Sequence, residues 1–72
     1  MNTTDQIASY VLQIDALKAE MEQNWTAARN RIAAHNLDDA ISLLNAFFSL
    51  KSELQKVEST LESLLHSYFA DK

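Results

Sequence analysis

Apolar residues recur along the first half of the chain at helical intervals. Ile7, Tyr10, Ile14, Leu17, Met21, Trp25, Ala28 and Ile32 follow one another at spacings of 3, 4, 3, 4, 4, 3 and 4. An α-helix turns by about 100° per residue, so these spacings keep the side chains on one stripe. The repeated four between Met21 and Trp25 is a stutter, which locally unwinds a coiled-coil seam. The second half is more regular. Leu43, Phe47, Leu50, Leu54, Val57, Leu61, Leu64 and Tyr68 alternate spacings of 4 and 3 without a slip, which predicts a coiled-coil-type seam. Beside that seam run Ile41, Leu44 and Phe48, then Leu65 and Phe69, while Lys51, Gln55 and Glu58 between them are polar. Helix two is therefore expected to carry a seam plus two apolar flank patches, one near each end.

The convincing interruption is "AAHNLDDA", 33–40. With Gly missing, Asn36 is the natural residue for a left-handed helix-ending position. Asp38 is then suited to cap the next helix, with Asp39 in its first turn. His35, in the last turn of helix one, suits the helix dipole when protonated. At the other end, "TTDQ" has the form of a capping box in which Thr3 and Gln6 satisfy each other's backbone N–H, with Asp5 in the first turn. The pattern predicts one domain over 1–72. Helix one covers about 4–34, a turn about 35–38 and helix two about 38–70. A connection that short makes the helices antiparallel neighbours, so the fold class is an all-α, coiled-coil-like two-helix hairpin. The competing arrangement is one uninterrupted helix.

In the hairpin, Ile14, Leu17 and Met21 would close against the helix-two seam. Two helices cannot cover everything else. Leu44, Phe48, Leu65 and Phe69 remain on the flank of helix two, and Val11 and Leu12 lie outside the main line of helix one. A large apolar side chain withdrawn from water contributes about 1.5–3 kcal/mol, and contiguous uncovered patches mark interaction sites. The expected partner-binding residues are therefore Val11, Trp25, Ile41, Leu44, Phe48, Leu65 and Phe69. Trp25 has two readings: packing inside the hairpin, or anchoring in a partner's groove, a role in which Trp is enriched. The antiparallel arrangement also brings Tyr10 and Tyr68 to the same end. The opposite side of helix two, with Ser42, Asn45, Ser49, Ser52, Lys56, Ser59 and Ser63, reads as a solvated face or as a place where another backbone comes close.

Composition removes several classes of function. The chain has 72 residues with no Gly, Pro or Cys. Hairpin turns, phosphate-cradling loops and nucleophile elbows rely on Gly, so β structure and nucleotide binding are not expected. Absent Cys removes disulfides and thiolate metal sites, and His35 and His66 alone do not make a His-based one. A core this small gains stability by other means, which leaves association. The net charge of −4, with Lys18, Arg29, Arg31, Lys51, Lys56 and Lys72 scattered among ten acidic residues, argues against nucleic-acid binding. Apolar runs are only two or three residues long, so no membrane insertion is expected. "MNTTDQ" has no basic residue ahead of an apolar run, so no secretory signal is expected either, and a cytoplasmic location follows. Asp38 and Asp39 point apart on a helix start, His66 has no acidic partner placed to tune it, and Glu58 with Glu62 lack a ligating His. No catalytic residues, cofactor or metal are expected, and the chain reads as a non-enzyme.

The segment "AARNRI" at 27–32, the short Asn/Asp break, and "ELQKVESTLESLLHSY" at 53–68 together resemble the small helical co-chaperones of type III secretion needle subunits, the YscE/SsaE/EscE type. Leu54, Val57, Glu58, Leu61, Leu64, Leu65 and Tyr68 match that family's pattern, and the likeness covers about 40 of the 72 residues. Two places depart from it. The break lacks Gly or Pro, and "LLNAFF" stands where the family has an early aromatic amid polar residues. The resemblance implies a helical, tetratricopeptide-like chaperone as partner, the pair keeping a needle subunit soluble and unpolymerised before export. The alternative is a self-associating module, such as a homodimeric four-helix bundle or a small subunit of a larger complex.

Overall fold

Asn2 opens the first helix. Its side-chain Oδ1 accepts from the backbone N–H of Asp5 at 2.8 Å, and its carbonyl accepts from Gln6 N–H at 3.1 Å. The expected Thr3 cap is thus displaced by one residue. Asn is at least as good an N-cap as Thr, and its cap leaves Thr3 free to be the first helical residue. The computed structural model describes residues 2–70, so Lys72 lies outside them. Within these bounds the chain forms α1, Thr3–Ala33, and α2, Leu37–Ala70, of 31 and 34 residues. They pack against each other as a two-helix hairpin measuring 55 × 15 × 15 Å.

Residues 34–36 reverse the chain with backbone and cap hydrogen bonds alone. His35 N–H donates to the Ile32 carbonyl at 3.0 Å and Asn36 N–H donates to the Arg31 carbonyl at 2.8 Å. This is the paired pattern of a Schellman ending. It places His35, not Asn36, in the left-handed region, with φ of 60°. Asn36 is needed elsewhere. Its Oδ1 faces the Asp39 N–H at 3.4 Å, its Nδ2 donates to Asp39 Oδ2 at 2.9 Å, and its carbonyl accepts from Ala40 N–H at 3.2 Å. Asn36 therefore caps α2 in place of the expected Asp38, and the reciprocal partner is Asp39, three residues on. Asp38 and Asp39 both sit in the first turn, where the helix dipole favours them. Arg31 and Asp39 approach to 3.8 Å across the joint, but both are solvent-exposed, so this pair contributes little.

Two predictions arise here. A non-glycine residue in the left-handed region costs about 1–2 kcal/mol, partly offset by the chain entropy that Gly forfeits on folding. His35→Gly is expected to stabilise the hairpin by about 0.5–1 kcal/mol, read from the urea midpoint of the circular dichroism signal. No change or a loss would mean that the His35 side chain contributes more than its strained backbone costs. Asn36→Ala removes the α2 cap and is expected to cost about 1 kcal/mol in the same assay, whereas Asp38→Ala should cost clearly less.

The seam of α2 faces α1 along its whole length. Leu54 is buried, and Leu43, Phe47, Leu50, Val57, Leu61, Leu64 and Tyr68 are half-buried. From α1, Ile7, Tyr10, Ile14, Leu17 and Met21 are half-buried and Ala28 is buried. The most enclosed residues are the small Ala28 and Ala40, each 1% exposed, near the joint where the two backbones converge. Two cylinders touch along a line, so each seam residue is covered on one side only. Among the described residues, Leu54 is the single large side chain that is buried. The chain exposes 5431 Å². A folded monomer of 8.1 kDa exposes about 4,500 Å² by the usual scaling, so the hairpin carries a surplus of about 900 Å².

Candidate interaction surface

The stutter in α1 decides which residues leave the core. After Met21 the apolar stripe rotates, the small Ala28 enters the convergence zone, and Trp25 and Ile32 swing to the rim at 48% and 49% exposed. Trp25 keeps one contact with the seam, its ring centroid 5.3 Å from that of Phe47 at an interplanar angle of 51°. Phe47 in turn meets Phe48 edge to face at 5.2 Å. Aromatic pairs at such separations and tilts are favourable beyond their buried area. The three rings form a ladder that begins in the seam and ends at Phe48 in solvent, where the Lys51 ammonium lies 5.9 Å from the Phe48 centroid. Trp25 thus packs one side against Phe47 and leaves about half of its surface in solvent.

The apolar surface divides into two patches along the hairpin. Near the joint lie Trp25, Ile32, Leu37, Ile41 and Phe48, all exposed. On α2, Leu37, Ile41, Leu44 and Phe48 follow at spacings of 4, 3 and 4, so they share one face. Near the open end, Val11 and Leu65 line one groove with Ile14 and Leu61, and Phe69 stands outward one turn beyond Leu65, its ring edge to face with Tyr68 at 5.4 Å. Asp15, Lys18, Glu58 and Glu62 line the same groove and mark the charged middle of this face. Leu12 is also exposed, a further 100° round α1 from Val11.

Of the seven expected partner-binding residues, Val11, Trp25, Ile41, Phe48 and Phe69 are exposed. Leu44 and Leu65 are half-buried. Both are therefore partly covered within the hairpin itself. Ile32 and Leu37 belong to the joint-end patch and were not expected there. Leu37 carried a readable signal, its spacing of four from Ile41, but an α2 start at 38 left it in the turn. The opposite side is polar. Tyr10 borders a groove there with Gln6, Thr60, Ser63, Leu64 and Ser67, and the Thr60 hydroxyl donates back to the Lys56 carbonyl at 3.0 Å. Among the described residues no group of three or more His, Cys, Asp or Glu could hold a metal ion, and no helix is long and apolar enough to cross a membrane.

The fold and this surface define the class: an all-α helical hairpin with one incompletely covered apolar face. Comparison with protein families, with curated proteins and with solved structures gives no match for this chain.

Proposed function

We propose that this hairpin is a non-enzymatic adaptor whose apolar face receives a second helical body. The supporting observation is the aromatic ladder from Phe47 to the exposed Phe48 and half-exposed Trp25, continued by Ile32, Leu37 and Ile41. Large rings held rigid at one end and bare at the other supply contact area at small entropic cost. A helix laid beside them would present its own apolar residues at spacings of three and four. The finer reading is the one implied by the resemblance of residues 27–32 and 53–68: a cytoplasmic co-chaperone that joins a tetratricopeptide-like chaperone and holds a secretion needle subunit unpolymerised.

Trp25 is the one tryptophan of the chain and serves as its own reporter. A helical protein that co-purifies from the native cell, added back to the isolated hairpin, is expected to shift Trp25 emission to the blue as the ring leaves water. Binding with no change in Trp25 emission would move the interface to another face and overturn the reading. A co-purifying protein that is neither chaperone-like nor a needle subunit would leave the adaptor and remove the secretion role.

A further inference from the structure

We propose that the joint is a hinge between two states of this chain. With His35 returned to the ordinary helical region, α1 and α2 run together as one helix over Thr3–Ala70, about 100 Å long. Two such chains pair antiparallel, so that α1 of each fills the seam of the other's α2. The exchange keeps the contacts of the seam and makes them between chains, which is a low-cost route to a dimer. It uses the seam and the joint, not the outward apolar face, and so does not rest on the adaptor reading.

The joint is strained at one residue and blocked by none. Among the described residues His35 alone has a positive φ, 60°, a conformation that penalises any side chain with a Cβ. Ala34, at φ −88° and ψ 7°, is already close to helical. No Gly or Pro stands anywhere in the chain to end a longer helix. Turning His35 over exchanges the bonds that close the joint, His35 N–H to Ile32 and Asn36 N–H to Arg31, for ordinary helical ones.

The apolar pattern also runs straight through the joint. From Ile32 it continues over Asn36 and Ala40 to Leu43 at spacings of 4, 4 and 3. From Ile7 to Tyr68 the stripe covers 61 residues in 17 steps, a mean of about 3.6, which is the period of a straight α-helix. A hairpin has no need of this, because its joint sets the phase of each helix separately. The register closes as well. Trp25 meets Phe47, and these two stand 11 residues before and 11 residues after Asn36. Fused helices that keep this pairing have their two-fold axis at Asn36, so Asn36 meets its own copy. A lone Asn in a coiled-coil seam specifies register and the number of strands. Ile32, which the turn leaves exposed at the rim, then joins the stripe opposite Ala40 of the second copy, each four residues from the axis.

Nitroxides on Lys18→Cys and Gln55→Cys, two exposed sites at facing levels, read the state of one chain when the doubly labelled protein is diluted into unlabelled protein. The hairpin holds the labels roughly 10–20 Å apart, whereas one continuous helix separates them by roughly 55 Å. The long distance is expected to grow with total protein concentration, together with a dimer in sedimentation. Asn36→Leu removes the α2 cap and places leucine on the stripe at the axis. It should lower the dimer dissociation constant at least tenfold and raise the share of the long distance. His35→Gly, added to the Asn36→Leu chain, relieves the strain of the hairpin and weakens the fused helix, so it should raise that constant at least tenfold. Labels that stay close at every concentration, in the parent or in Asn36→Leu, would overturn the proposal. So would a dimer that keeps the short distance, or a His35→Gly substitution that leaves the constant unchanged.

Discussion

Leu54→Ala is expected to remove about 2–4 kcal/mol of stability and to leave the hairpin partly unfolded at room temperature. Leu54 is 8% exposed and is the large side chain that the two helices enclose most fully. It stands midway along the α2 seam, too far from the joint for the capped turn to hold the helices together around a void. A chain of this length has total stability on the order of 4–10 kcal/mol, so the loss is a large share of what exists. Urea unfolding followed at the helical circular dichroism band measures it. Phe69→Ala, at a residue 67% exposed, is the control and should change little in the monomer. A cost at Leu54 below about 1 kcal/mol would mean that the seam is not closed there and that the helices pair in another register.

The second large effect concerns recognition. Phe48→Ser is expected to weaken capture of a helical partner at least 30-fold, about 2 kcal/mol, while the isolated chain retains its helicity. Phe48 is 56% exposed, and its ring rests on Phe47 alone among the aromatic residues around it. Its removal therefore subtracts contact area from the face without opening the seam. Serine and phenylalanine have nearly equal helix propensity, so the exchange costs a helix of 34 residues little on that account. Circular dichroism beside a quantitative pull-down separates the two contributions. Lost helical signal with unchanged binding per folded molecule would assign Phe48 to the hairpin's own core.

The parts of this fold that sequence made legible are those governed by period. Eight residues from Leu43 to Tyr68 keep strict alternating spacing, and all eight face α1. The position of the break was legible because Asn36 and two aspartates interrupt a chain otherwise made of helix formers. What was not legible depended on choices among near-equals. Asn2 and Thr3 are both competent caps, as are Asn36 and Asp38, and only the backbone path decides which one meets an N–H. His35 takes the left-handed position because Asn36 is engaged with Asp39, a competition invisible in a propensity. The exposure of Leu44 and Leu65 depended on how closely the helices approach. The most enclosed residues, Ala28 and Ala40, look unremarkable in a hydrophobic pattern because they are small. The rim placement of Trp25 followed from the stutter, whose position could be read but whose direction of rotation could not.

The joint fixes a phase as well as a direction. The residue that completes the ending of α1, Asn36, is also the one that starts α2, so residues 34–36 contain no slack to absorb an added link. One extra residue after Asn36 would turn α2 by about 100° on its axis, and it would carry Phe48 and Ile41 away from Trp25 while a different row of side chains met α1. The joint therefore works like a keyed coupling between two shafts. It transmits a fixed angular offset from one helix to the other, so the alignment of rings 11 residues beyond the joint is set by three residues that touch none of them.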